Sequence, residues 1–260
     1  MTGKGNDATQ LVAGLHSVRT ALRHGAAAIV ELWVESRRQD QRIGEIATLA
    51  HRSGVVIQPA TRDQLDRLVP GINHQGVVAR TLLPKAQGEN LLDQLLDGLN
   101  EPPLLLILDG VQDPHNLGAC LRSADAAGVH AVIAPRDRSV GLTPVACKVA
   151  SGAAESTPFF QVTNLARTLK RLKQSHGIWL VGTAGDSGER IYAADLTGPL
   201  ALIMGGEERG MRRLTQEACD HLVSLPMHGV VESLNVSVAA GICLYEAVRQ
   251  RIDSNSRQPL

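Results

Sequence analysis

Residues 104–123 read LLLILDGVQDPHNLGACLRS, and the fold turns on how that stretch is parsed. Residues 104–108 are five aliphatic side chains with no polar alternation, the pattern of a strand buried on both faces. Asp109-Gly110 and Asp113-Pro114 then mark turns, and the apolar pattern resuming at Leu117 predicts a helix that starts near Asn116. Four further apolar runs follow, at 131–134, 179–181, 200–204 and 222–225, with helical patterns between most of them. Strands separated by helices predict an α/β fold, a mostly parallel sheet with helices on both faces. In such sheets ligands sit at the carboxyl ends of the strands, so the loops after the strands are where chemistry is to be sought.

Upstream, residues 11–83 alternate helical and strand patterns and read as a separate small α/β unit. The expected organisation is a first domain at 1–85, ordered from about residue 11, a linker at 86–102, a second domain at 103–252, and a polar tail at 253–260. The linker reading rests on Pro84, Gly88, Gly98, Asn100 and Pro103 around one short amphipathic stretch. The chain has 260 residues, of which 43% are hydrophobic and 20% charged, which excludes disorder for most of it. No apolar run approaches the ~18 residues of a membrane span, and no secretory signal opens the chain. Cys120, Cys147, Cys219 and Cys243 are remote from one another, with no metal-ligand spacing, and read as reduced thiols of a cytoplasmic protein. No metal site is expected.

Three loops carry polar residues that can do chemistry. The first contains Asn116, followed by Arg122 in the helix. Asn116 reads equally as an N-cap, and Arg122 as a solvated helix residue or as a guanidinium on the same side as the strand end. The second follows the strand at 200–204 and reads Gly205-Gly206-Glu207-Glu208-Arg209-Gly210-Met211; paired glycines there permit a tight turn or close approach of backbone to a ligand. It matches neither a dinucleotide fingerprint nor a phosphate loop. In the third, Ser233-Leu234-Asn235 precede a small-residue helix, where Ser233 or Asn235 serves as a cap or directs donors at an anionic group. No hydrolase or zinc-protease motif is present, and the nine histidines are dispersed.

Taken in this order and spacing, the three segments resemble the motifs of the SpoU/TrmH family of RNA ribose 2′-O-methyltransferases, of the SPOUT class. Asn116-x-Gly118 with Arg122 resembles the first motif, residues 204–211 the second, and Ser233-Leu234-Asn235 the third. Residues 148–156 are also similar to the family's. Residues 14–18 (GLHSV) and 74–79 (HQGVVA) resemble its ribosomal-protein-like RNA-binding domain. Within the family the chain is most similar to enzymes that methylate a guanosine ribose of bacterial large-subunit rRNA. One departure is Glu208, where the family usually carries glycine.

The resemblance implies S-adenosyl-L-methionine as cofactor, a C-terminal trefoil knot that binds it, and a homodimer with each site formed across the interface. It implies Gly205, Leu225 and Leu234 as cofactor contacts. Arg122 is implied as the residue that holds the target ribose and phosphate, with Asn116, Glu207, Ser233 and Asn235 orienting it or the hydroxyl. The expected partner is 23S rRNA or a ribosome-assembly intermediate, with neither DNA nor membrane. A sister enzyme acting on tRNA or another rRNA position is the near alternative, and a non-catalytic RNA-binding assembly factor the distant one.

Lys+Arg and Asp+Glu balance at 26 each, with a pI of about 7.1, which argues at first against a polyanion partner. The balance is an average. Residues 1–85 hold 11 Lys+Arg against 7 Asp+Glu, and the remainder 15 against 19. The basic excess sits on the first unit, where Arg19, Arg23, Arg37, Arg38, Arg42 and Arg52 are candidates to meet phosphates. Aromatics make up only 2%, which favours reading of RNA shape and backbone over base stacking.

Overall fold

The computed structural model describes residues 9–38, 40–207 and 210–255. The chain divides into two compact units, Met1–Pro84 and Lys85–Leu260.

In the first unit four strands, β1 (Thr9–Ala13), β2 (Ile29–Glu35), β3 (Ile57–Ala60) and β4 (Val77–Leu82), form a sheet in the order β1-β4-β2-β3. β4 runs antiparallel to both neighbours and β2 is parallel to β3. Period-2 alternation sends Leu32, Val34, Val77 and Ala79 to one face, under α1 (Leu15–His24) and α2 (Gln41–Arg52). Val78 and Trp33 go to the other, under α3 (Arg62–Leu68). Asp40 caps α2, and Thr61 with Gln64 forms a capping box on α3. The two stretches 14–18 and 74–79 meet here: Gly14 N donates to Val77 O at 3.2 Å, and Leu15 N to the Gln75 side chain at 3.1 Å. Of the six candidate arginines, Arg19 pairs with Glu45 and Arg38 with Asp40. Arg23, Arg37, Arg42 and Arg52 are exposed, and their guanidinium groups make no hydrogen bond or ion pair with the described residues.

The second unit is built on seven strands: β5 (Leu104–Asp109), β6 (Ala131–Pro135), β7 (Phe159–Val162), β8 (Trp179–Thr183), β9 (Glu189–Arg190), β10 (Leu200–Gly205) and β11 (His221–Ser224). Their order is β7-β6-β5-β10-β8-β11-β9 and every ladder is parallel. All six residues of β5 are buried, as its unbroken aliphatic run requires. α4 (Glu89–Asp97) and α8 (Leu165–His176) send Leu92, Leu96, Leu165, Leu169 and Leu172 onto the face that carries Leu105, Ile107, Phe160 and Ile203. α5 (Pro114–Ala126) packs against α6 (Pro144–Ala150), α7 (Ala153–Ser156) and α10 (Val236–Asn255), with α10 in turn on β10. A short helix α9 (Arg213–Ala218) lies against α8.

The structure departs from the sequence reading in the layout of its elements. β7 and β9 lie outside the apolar runs: Phe159–Val162 is too short and too mixed to stand out, and Glu189–Arg190 carries no apolar signal. The segment 86–102 holds α4, whose Leu92 and Leu96, one turn apart, are buried in the second unit's core, so it is a structural part of that unit and not a linker. Finally, α10 runs through Asn255, past the anticipated tail start at 253, because Arg249 bridges Glu246 and Asp253 at i−3 and i+4. The rest of the tail, and Glu208, lie outside the described residues. Among the described residues no helix is long and apolar enough to cross a membrane.

Candidate active site

The strand order reverses between β5 and β10, whose C-terminal residues Asp109 and Gly205 are register partners. That is the switch point at which parallel sheets hold ligands, and the three loops singled out in the sequence converge on it.

α5 starts at Pro114, capped by the Asp113 side chain, which accepts from His115 N at 2.8 Å. Asn116 is therefore not the cap; it lies inside the first turn and is buried. Its Nδ2 donates to Glu207 Oε1, and its Oδ1 accepts from Asn235 Nδ2 at 2.9 Å. Asn235 also caps α10, its Oδ1 accepting from Ser237 N and Ser237 Oγ at 2.9 and 2.6 Å. Asn235 thus caps α10 and holds Asn116 at the same time. Two residues on, Gly118 permits the approach of α6: a Cβ there would lie 2.5 Å from Ala146 O and 2.7 Å from Val149 Cβ.

The paired glycines serve a tight turn. A Cβ on Gly205 would stand 2.3 Å from the backbone of Gly210 and Met211, and one on Gly206 would stand 2.3 Å from Gly110 O. Gly206 N donates to Asp109 O at 2.9 Å, and Gly210 N closes the loop onto Gly206 O at 3.1 Å. Beneath it the fully buried Asp109 carboxylate accepts from Arg212 N at 2.8 Å, and the Arg212 guanidinium lies 3.4 Å from its other oxygen. This pair anchors the β10 loop to the end of β5.

A cavity of about 460 Å³ opens beside this turn, lined among others by Thr183, Gly205, Leu225, Ser233, Leu234 and Asn235. All three sequence-predicted cofactor contacts line it. Its volume falls within the roughly 300–1,000 Å³ range of small-molecule sites. Apolar walls from Val223, Leu225, Leu234 and Ala239 suit an adenosine, and Glu207 adds a carboxylate. Along one side, the backbone of residues 226–234 makes no hydrogen bond with the described residues, leaving donors and acceptors to a ligand. These groups fit S-adenosyl-L-methionine.

Arg122 is not brought to this cluster. Six residues beyond Asn116 on α5, it lies about 240° further round the helix. It is exposed, lines neither this cavity nor the next, and has no partner among the described residues. It is thus not a buried guanidinium on the side of the strand end.

A second cavity, of about 530 Å³, shares Gly206, Glu207 and Gly210 with the first and is also lined by Gln112, Asp113, Asn116 and Arg138. Sequence reading missed Arg138. The strand-end rule applied to β6 would have led to it, because it stands three residues past Pro135. The cysteines take no part: burial pushes Cys120, Cys147 and Cys243 up to about 12 and Cys219 to about 11, with Glu207 a second cause for Cys120. No group of three or more His, Cys, Asp and Glu that could hold a metal is found among the described residues.

Two family models account for both units. The SpoU rRNA Methylase family matches residues 103–245, and the RNA 2′-O ribose methyltransferase substrate-binding model matches residues 11–85. The chain belongs to the SpoU rRNA methylase family. Among its relatives, the 23S rRNA (guanosine-2′-O-)-methyltransferase RlmB of Ralstonia nicotianae is 56% identical over 246 residues, 94% of this chain and 96% of that one. The protein of the same name from Haemophilus influenzae is 52% identical, over 95% of this chain and all of its own. Among solved structures, the SpoU methyltransferase AviRb from Streptomyces viridochromogenes, in complex with the cofactor AdoMet, superposes with a TM-score of 0.74. It is 28% identical, over 94% of this chain and 91% of its own. The two loops that resemble the family's second and third motifs wall the first cavity, and the segment that resembles its first contains Asn116.

Proposed function

We propose that this protein transfers the methyl group of S-adenosyl-L-methionine to the ribose 2′-hydroxyl of a guanosine in 23S rRNA. The observation that carries the reading is the Glu207–Asn116–Asn235 hydrogen-bonded chain, set at the wall common to a cofactor-sized cavity and a second, polar one. Relatives at 52–56% identity over nearly the whole chain, named for that activity, support the substrate.

The sulfonium of the cofactor supplies an activated methyl group, so the protein's task is positioning and charge stabilisation. Gly205, Leu225 and Leu234 hold the adenosine side of the first cavity. Asn116 is locked between Glu207 and Asn235, so the Glu207 carboxylate is presented in one orientation at the shared wall, where the 2′-hydroxyl must lie. Ser233 and Asn235 complete the rim. The segment from about residue 222 to 251 forms the trefoil knot, with the loop at 225–235 as its cofactor-facing part.

Arg122 acts from a second copy of the chain. Its exposure on α5 supports this, as does the neighbouring α10, which packs on α5 and leaves Val238, Ile242 and Tyr245 uncovered at i, i+4 and i+7. Pairing of these stripes in a homodimer gives Arg122 an active site to serve. A guanidinium with a pKa above ~12 is a poor base, so its role is to anchor the target phosphate and stabilise developing charge. The first unit grips RNA backbone through Arg23, Arg37, Arg42 and Arg52. The protein works in the cytoplasm, where its rRNA substrate is.

The test is methyl transfer from labelled cofactor to separate 23S rRNA, 16S rRNA and tRNA pools, followed by nuclease mapping. Label on one guanosine ribose of 23S rRNA is the expected result. Label on tRNA alone would transfer the assignment to a sister activity, and no label on any RNA would overturn it.

A further inference from the structure

The second cavity carries a more specific reading, which rests on the proposed function. We infer that it takes the base of the target guanosine, with Asp113 accepting from the guanine N1–H and N2–H groups and Arg138 donating to O6 and N7.

Charge decides between base and phosphate. Among the described residues the cavity is lined by two carboxylates, Asp113 and Glu207, against one cation, Arg138. A phosphodiester would meet net negative charge there, whereas a neutral base that presents both donors and acceptors would be matched. Asp113 uses Oδ1 to cap α5 through His115 N and leaves Oδ2 without a partner among the described residues. Arg138 likewise has no hydrogen bond or ion pair with the described residues, although it lines the same cavity as Asp113. A carboxylate and a guanidinium at one cavity but unpaired with each other are open to a common ligand.

Base chemistry then selects guanine. Only guanine offers two adjacent N–H donors on its Watson–Crick edge; adenine and cytosine put a ring-nitrogen lone pair there, and uracil a single donor between two carbonyls. Its O6 and N7 form the acceptor pair that arginine most often reads. Bases that are splayed out of a strand are recognised on these edges. The cavity volume of about 530 Å³ is ample for one base and its ribose.

The backbone supports the assignment. Arg138 is held at φ 57°, a left-handed conformation that costs energy in a residue other than glycine and marks a position over-determined by its surroundings. Two contacts brace it: Val140 N donates to Val111 O at 2.9 Å, and Arg212 Nη2 to Asp137 O at 3.0 Å. The loop that presents Arg138 is thereby tied to the β5 loop and to the Asp109–Arg212 anchor under the cofactor turn.

The experiment compares one 23S rRNA fragment with the mapped target as guanosine, inosine or adenosine, and measures kcat/KM for the full-length protein and two variants. Asp113→Asn keeps the helix cap through its Oδ1, since Asn caps as well as Asp, but puts an NH2 donor where Oδ2 accepts from the base. Arg138→Asn keeps a side chain that tolerates the left-handed backbone and removes the guanidinium. Each variant is expected to lower the preference for guanosine over adenosine on the order of 10-fold. Asp113→Asn should also erase the preference for guanosine over inosine, which lacks the N2 amino group. Cofactor affinity, measured by calorimetry, should stay within about twofold. An equal loss for all three nucleotides would overturn the inference in favour of a backbone contact or a structural role, and unchanged rates would remove the cavity from recognition. Failure of the unmodified protein to methylate the guanosine fragment would instead sink the proposed function itself, and this inference with it.

Discussion

The side chains of Asn116 and Glu207, 91 positions apart in the chain, share a direct hydrogen bond, and the same Asn116 amide accepts from Asn235. One amide thus links the loops after β5, β10 and β11. Glu207→Gln keeps an oxygen to accept from Asn116 but removes the charge. It should fold with an unchanged urea midpoint and lose about 10²-fold in single-turnover methyl transfer. Asn116→Ala strands two partners and should in addition cost about 1–3 kcal/mol of stability. A Glu207→Gln enzyme as fast as the unmodified one would remove the carboxylate from the mechanism.

Gly118 is a packing requirement rather than a turn. Gly118→Ala drives a methyl group into Ala146 O and Val149, both belonging to α6. Separation of α5 from α6 should cost about 1–3 kcal/mol, read as a lower urea midpoint. Stability equal to that of the unmodified protein would mean that the α5–α6 contact is softer than its geometry implies.

Ile242→Glu places a charge at the centre of the exposed α10 stripe. Sedimentation at micromolar concentration should show a dimer for the unmodified chain and a monomer for the variant. Methyl transfer should fall with dimer content, because Arg122 then has no second copy to serve. An active monomer would remove Arg122 from the mechanism, since it lines neither cavity of its own chain.

Alkaline pH should weaken the fold through the buried thiols. Cys120, Cys147 and Cys243 are held up to about 12 by burial, against 9.0 for an unfolded thiol. Below pH 9 both states are protonated and the full stability is present. Between pH 9 and 12 the unfolded state loses protons that the folded state keeps, so stability falls with rising pH, by about 1.4 kcal/mol per pH unit for each such thiol. Urea midpoints measured from pH 8 to 10.5 should decline, and Cys243→Ala should flatten that decline. The same thiols, scarce as thiolates at pH 8, should react slowly with a thiol reagent until urea is added.

Much of this protein is legible in one dimension. The unbroken aliphatic run of β5, the turn residues after it and the recurrence of apolar runs between helical patterns determine a parallel α/β sheet, because burial on both faces leaves no room for polar alternation. The three polar loops are legible for the same reason: each directly follows a strand. Asp113 and Gly118 show what local pattern leaves open. The cap falls three residues before Asn116 because Asp-Pro is the stronger start signal, and the glycine's purpose appears only when α6 arrives against it.

Tertiary structure alone decided the rest. Amphipathic Leu92 and Leu96 are compatible with a linker helix or a core helix, and only the sheet face that receives them tells which. Arg122 stands six residues past Asn116 wherever the helix starts, and only the packing of α5 shows that this phase faces away from both cavities. Arg138 gives no signal in sequence, since a charged residue in a loop is ordinary; it joins Asn116, Asp113 and Glu207 because the ends of β5, β6 and β10 lie side by side. Short-range pattern reports which residues a strand or helix buries, whereas the meeting of side chains some 90 residues apart depends on strand order, which no local periodicity encodes.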